Sequence, residues 1–200
     1  MAIHFSTALV LLALLALIAA YSFIGTDRAR WGDDDDDGLL RVSILAVIVT
    51  VGVLVSGSYA VASNDGYGCS GWPGCQQALI PFLDGARFQH IHWLHRIAVV
   101  LGAATIALVG YFVLHEMHDP APLLRKAAYS LIGLYALQIV IGELNPWTDF
   151  SEAARVAHLA AGSTIWALLV VTTSASQYRP QTDLLRPERR QRRGRTDTSV

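Results

Sequence analysis

Three histidines and an arginine crowd into Gln89–Arg96, QHIHWLHR, at the entrance to a long apolar segment. A further histidine, His158, stands inside another apolar segment. Ionisable side chains within segments of membrane length are costly to keep there, so they mark pairing, ligation or proton transfer. A neutral imidazole can ligate a metal or exchange a proton near neutral pH. His92 and His95 are three residues apart and share a helical face, whereas His90 points elsewhere and falls at the surface. His4, His115 and His118 lie at segment ends and are read as solvated.

The elements that must position these side chains are transmembrane helices. The 200 residues are 53% hydrophobic. Five apolar stretches are of about the length needed to cross a hydrocarbon core of roughly 30 Å. They are Thr7–Ile24, Val42–Ala62, Ile91–Leu114, Ala127–Gly142 and Ala153–Val171. The fourth is short and reaches spanning length by taking in Leu123 and Leu124, or Leu144. The fold expected is an all-α integral membrane protein with five transmembrane helices, the last four forming a four-helix bundle. An ordinary soluble domain is excluded. Residues 1–41 supply the first helix and an acidic loop, 42–175 the bundle, and 176–200 a basic tail without periodicity, expected to be disordered.

Twelve of the fifteen lysines and arginines fall between the first and second spans, between the third and fourth, or in the tail. With five spans these regions share one face, which the positive-inside rule makes cytoplasmic. The N-terminus then starts outside and the C-terminus is cytoplasmic, in a prokaryotic plasma membrane. No basic residue precedes the first apolar run, so an uncleaved helix is expected there, not a signal peptide. The tail RPERRQRRGR is topology signal and needs no nucleic acid. Asp33–Asp37 lack the alternation of a calcium loop and read as a hydrated linker.

Depth carries the chemistry further. His95 lies about six residues after Gln89, and His158 about six after Glu152. Both therefore sit roughly 9 Å below the same outer surface. Two imidazoles at one depth on two helices can hold one haem iron between them. Arg96, with Arg87 and Arg155 near the outer surface, could pair with haem propionates. Gly102, Ala103, Ala104, Ala160, Ala161 and Gly162 leave room for a flat macrocycle or serve plain helix packing. The competing reading is that the histidines only bond helices together. Gln138 is expected to bond across to another helix. Ser151 and Glu152 resemble an offset capping box at the start of the fifth span.

The only cysteines, Cys69 and Cys75, bracket Ser-Gly-Trp-Pro-Gly in the long outer loop. An oxidising compartment favours a disulfide that pins this loop over the helix ends. A redox role for the pair stays open.

GSYAVASNDGYGCSGWPGC, then HWLHR, LQIVIG and VAHLAAG, in that order, resemble one half of the haem A synthase family. The resemblance covers roughly Val42 to Val171. It implies a four-helix half carrying an outer-loop cysteine pair, here Cys69 and Cys75, and two histidines that flank a haem, here His95 and His158. For full members it implies oxidation of the haem O methyl group to the formyl group of haem A, in terminal oxidase assembly. Where the catalytic half of the family has a glutamate, three residues before the His-Arg histidine, this chain has His92. His92 or Glu143 would have to take that acid–base role. A single half also implies a homodimer, or pairing with a second half, and contact with a haem O synthase or the oxidase assembly machinery. The function expected is therefore a haem A synthase-type oxidoreductase binding haem b, o or a. The alternative is a non-catalytic haem-binding or electron-carrying subunit.

Overall fold

The computed structural model describes residues 2–24, 38–62, 87–117 and 122–176. Among these residues the chain forms α1 (Ala2–Ile24), α2 (Gly38–Ala62), α3 (Arg87–Tyr111), α4 (Pro122–Trp147) and α5 (Glu152–Ala175). A π-helical turn, Phe112–Glu116, prolongs α3. Each of the five helices is long and apolar enough to cross a membrane, and the protein is an all-α, multi-pass membrane protein. Asp33–Asp37, Cys69, Cys75, His118 and the tail from Gln177 lie outside the described residues.

The bilayer decides the conformation of α2 against local propensity. Val42–Val55 is dominated by valine, isoleucine and threonine, which favour strands in water. Hydrocarbon offers no partner for backbone N–H and C=O groups, so only internally bonded helix is stable there. α4 runs past the expected end at Gly142 to Trp147, with Pro146 inside it. Proline near the last turn removes one N–H, which would otherwise reach the carbonyl of Gly142. The helix then stops in a tight turn. The Phe150 N–H bonds the Asn145 carbonyl at 2.7 Å, and Asp149 and Phe150 take positive φ of 54° and 55°. Ser151 follows as the N-cap of α5, its Oγ accepting from the Ala154 N–H at 3.3 Å. That cap satisfies one of the donors left open at a helix start.

α2 packs on α3, α3 on α4, α4 on α5 and α5 back on α2, closing a bundle of antiparallel neighbours. α1 lies outside, against α5 and the edge of α2. Trp166 fixes it by donating Nε1–H to the Leu9 carbonyl at 2.9 Å, and the Tyr21 and Ser174 hydroxyls bond at 2.5 Å. The apolar core gathers Leu39 and Ala46 of α2 with Ile106 and Val109 of α3. Leu124, Ala128, Leu131 and Tyr135 of α4 and Ile165 and Leu169 of α5 complete it. Those positions occupy the start of α2, the end of α3, the start of α4 and the end of α5. In an antiparallel bundle these are one half of its length. His95 and His158 lie in the other half.

Candidate functional site

His95 sits two turns into α3, facing α2. Gly57 of α2 is its seat: a Cβ there would stand 2.9 Å from the His95 Cε1. Beside it, the Ser56 Oγ lies 3.0 Å from His95 Nδ1 and also donates to the Val53 carbonyl at 3.0 Å. A hydroxyl has one proton to give. With that proton spent on Val53, Ser56 accepts from His95, which places the imidazole proton on Nδ1. Nε2 then carries the free lone pair.

His158 is built the same way on the other hairpin. Gly142 of α4 seats it, a Cβ there falling 3.1 Å from the His158 Cε1. Gln138, one turn before Gly142, donates its amide to the His158 carbonyl at 2.9 Å and stands 3.4 Å from His158 Nε2. An amide nitrogen only donates, so Nε2 is again the basic nitrogen and Nδ1 holds the proton. Nδ1 is buried without a hydrogen-bond partner, as is the Gln138 Oε1. Leaving such groups unpaired costs about 1–3 kcal/mol each.

The two seats converge. His95 lies within electrostatic range of His158 and of His92. The neighbours of the seats meet as well, because Arg96 follows His95 and Glu143 follows Gly142. Their side chains form an ion pair at 4.0 Å, each about one-fifth to one-quarter exposed. Arg96, expected to face propionates, and Glu143, expected to stand in for a missing carboxylate, therefore bridge α3 and α4 at the rim. His92 is half-buried, and so is His90, which the sequence puts at the surface. Arg155, His4 and His115 are exposed. The side chain of Arg87 lies outside the described residues.

Of the small residues expected to make room for a macrocycle, two are filled by the bundle itself. The Tyr135 hydroxyl covers Gly102 and donates to the Val99 carbonyl at 2.9 Å. Gln138 and Leu54 cover Gly162. The glycines that front the imidazoles are Gly57 and Gly142, which sequence reasoning passed over. Their signal was depth: each stands five residues before the end of its helix, at the level of a histidine in the next.

The residues fit a metal macrocycle. His95 has an Nε2 with no hydrogen bond to it, each imidazole sits against a helix backbone without a Cβ, and the His158 ring has a buried nitrogen, Nδ1, in want of a partner. An iron porphyrin with two axial imidazoles matches this donor set.

A family model described as cytochrome oxidase assembly protein, COX15-CtaA, matches residues 1–170, so the match takes in α1 as well as the bundle. A protein of Chloroflexus aurantiacus named protoheme IX farnesyltransferase is 28% identical over 148 residues. The aligned region covers 70% of this chain and 25% of that protein. The chain thus spans about a quarter of the length of the curated relative it matches.

Proposed function

The chain belongs to the cytochrome oxidase assembly protein family, COX15-CtaA, and from that premise we propose that it binds haem between His95 and His158 and forms haem A from haem O. The family is one of haem A synthases, which are oxidoreductases, and a part in cytochrome oxidase assembly follows from membership. The observation that carries the finer reading is that two imidazoles within electrostatic range of one another lie on glycine seats in the same bundle half.

Each residue then has a task. His95 would hold the iron through Nε2, and the His158 imidazole would be the second ligand. Ser56 fixes the ring of His95 by accepting from Nδ1, the outer-sphere bond that orients ligating histidines and raises their basicity. Gln138 holds the backbone of His158. Arg96 leaves Glu143 to meet a propionate, a charge-assisted bond that the guanidinium can make to either carboxylate. Glu143, so released, and His92 are the proton-exchanging groups beside the site. The bound haem supplies a one-electron redox centre in a low-dielectric surrounding. The substrate change, oxidation of a methyl substituent to a formyl group, would take its oxygen from water, release its protons to Glu143 and His92, and pass its electrons through the haem, one at a time, to an external acceptor such as a membrane quinone.

A second reading, a haem-binding or electron-carrying subunit without chemistry of its own, is favoured by one observation. His92 occupies the position where the catalytic half of the family has glutamate. In both readings the N-terminus is outside, Cys69 and Cys75 form a disulfide in the outer loop, and the bundle pairs with a second copy or with another half. The relative's printed name supports a haem O-forming enzyme as neighbour in the pathway.

The test is extraction of haem from cells that express this chain with a source of haem O. Appearance of haem A is expected. A bound, low-spin haem that stays haem O would select the carrier, and a colourless protein would end both readings.

A further inference from the structure

The stripe of α4 that faces the bundle runs through Leu124, Ala128, Leu131 and Tyr135, all buried. At the same helical spacing it continues through Gln138, Gly142 and Asn145. Gln138 and Gly142 both meet His158. Asn145 stands one turn nearer the end of the helix and is 7% exposed. We infer that Asn145 is the positioning residue of His158: its Oδ1 receives the imidazole Nδ1 proton through one bound water, as the Ser56 Oγ receives that of His95 directly. The inference rests on the haem-binding reading above and deepens it, because a proton fixed on Nδ1 leaves Nε2 as the nitrogen that ligates.

Three observations support it. The first is complementarity. Among the described residues, His158 Nδ1 and Asn145 Oδ1 are both buried side-chain atoms without a hydrogen-bond partner. One donates in this tautomer, and the other only accepts. The direction of the Asn145 amide is set separately, since its Nδ2 donates to the Ile141 carbonyl at 3.1 Å. A carbonyl cannot donate back, so the oxygen is the end left open.

The second is the lie of the ring. Cε1 stands between the two ring nitrogens, and it meets the Gly142 seat, 3.1 Å from a Cβ built there. Nε2 is turned to Gln138, one turn before Gly142. Nδ1, on the other side of Cε1, therefore turns toward the following turn of α4, where Asn145 stands. The Gln138 Oε1 belongs to the Nε2 side, because the amide nitrogen beside it bonds the His158 carbonyl at 2.9 Å.

The third is the span. Nδ1 lies 3.6 Å from the Cβ position of Gly142. Side chains three residues apart on a helix start about 5–6 Å from one another, and the asparagine oxygen reaches back over part of that. The gap left is wider than a direct bond and of the width that one water bridges. A water there has two polar partners, one giving a proton and one accepting, as a buried water requires.

An acceptor behind Nδ1 holds the ring plane and raises the basicity of the ligating nitrogen. Gln138 meets Nε2 at only 3.4 Å, and its bond to the carbonyl remains when a ligand takes that nitrogen.

The experiment uses the full-length protein in lipid nanodiscs, both haem-free and loaded with protohaem. In haem-free protein carrying isotope-labelled histidine, the His158 Nδ1 proton is assigned by its loss in His158→Ala and should resonate downfield. Asn145→Leu removes the acceptor with little change of shape. It should move that resonance upfield and, in loaded protein, speed haem release about ten-fold. Asn145→Asp loses the same bond to the Ile141 carbonyl but keeps an acceptor oxygen, so both readouts should stay near wild type. A resonance indifferent to Asn145→Leu, or equal changes in the two variants, would overturn the inference and leave Asn145 serving α4 alone. If Asn145→Asp does not fold, the resonance in Asn145→Leu decides by itself. A loaded wild type without a low-spin spectrum would remove the haem-binding reading, while the haem-free resonance still decides whether Asn145 holds His158.

Discussion

The two halves of the bundle are made of the same four helices and behave as different materials. In one half, Ile106, Val109, Val113, Leu131 and Leu169 are excluded from solvent almost completely, and the helices close on one another's side chains. In the other, the described stretches 51–61, 90–101, 136–147 and 152–163 bury only Ala60, Asn145 and Gly162. The side chains that converge there are histidine, glutamine, arginine and glutamate. Among the described residues, two of the five buried polar side-chain atoms left unpaired, Gln138 Oε1 and His158 Nδ1, belong to the histidine seats. The difference teaches where the sequence invested in stability and where it kept room for chemistry. A jigsaw core holds the helices in register, and that register sets two imidazoles, two glycines and an ion pair at one level.

The sharpest way to break this division is to exchange the effects of its two halves. His95→Ala or His158→Ala should abolish the low-spin haem spectrum entirely while thermal unfolding in detergent hardly changes. His115→Ala, exposed at the opposite end of α3, should alter neither. Survival of the spectrum in either seat variant would mean that the polar half is not a ligand site.

The converse substitution lies in the packed half. Leu131 and Leu169 are 1% and 0% exposed. Leu131→Ala or Leu169→Ala should destabilise the bundle by about 2–4 kcal/mol, read as a lowered melting temperature. The fraction that stays folded should keep its spectrum. Loss of haem without loss of stability would erase the distinction between the halves.

A smaller effect distinguishes the seats from each other. Gly57→Ala brings a methyl within 2.9 Å of the His95 ring, and Gly142→Ala brings one within 3.1 Å of the His158 ring. Both should tilt their imidazole and shift the electron paramagnetic resonance of the low-spin iron, and the Gly57 variant should do so more. Identical spectra in both variants would show that the glycines serve helix approach alone.

Much of this was legible in the sequence, for identifiable reasons. Segment length and hydropathy gave the five spans, because a bilayer leaves apolar runs of that length no other conformation. The i, i+3 spacing gave the shared face of His92 and His95. The polar opening of the fifth span gave its cap at Ser151. α4 was read short because Asn145, Pro146 and Trp147 look like a loop. They stay helical because Pro146 sits near the last turn, where the missing N–H is tolerated, and because the Asn145 side chain bonds back to the Ile141 carbonyl at 3.1 Å. Gly102 and Gly162 looked suited to a macrocycle, whereas Gly57 and Gly142 were passed over. Nothing in a glycine's local sequence tells whether a tyrosine or an imidazole will lie across it.

What the sequence by itself determined is the material: five membrane-length helices, a pair of histidines at one depth, a glutamine fit to bond across helices, and an arginine beside its histidine. Each follows from properties that act along a single chain, hydropathy and helical periodicity. What only the tertiary structure decided is the pairing: Gly57 under His95, Gly142 under His158, Ser56 fixing one ring, Arg96 against Glu143, and α1 against α5. Those depend on the rotation and axial shift of one helix against another. Side chains far apart in the chain set these jointly, through close packing in one half of the bundle.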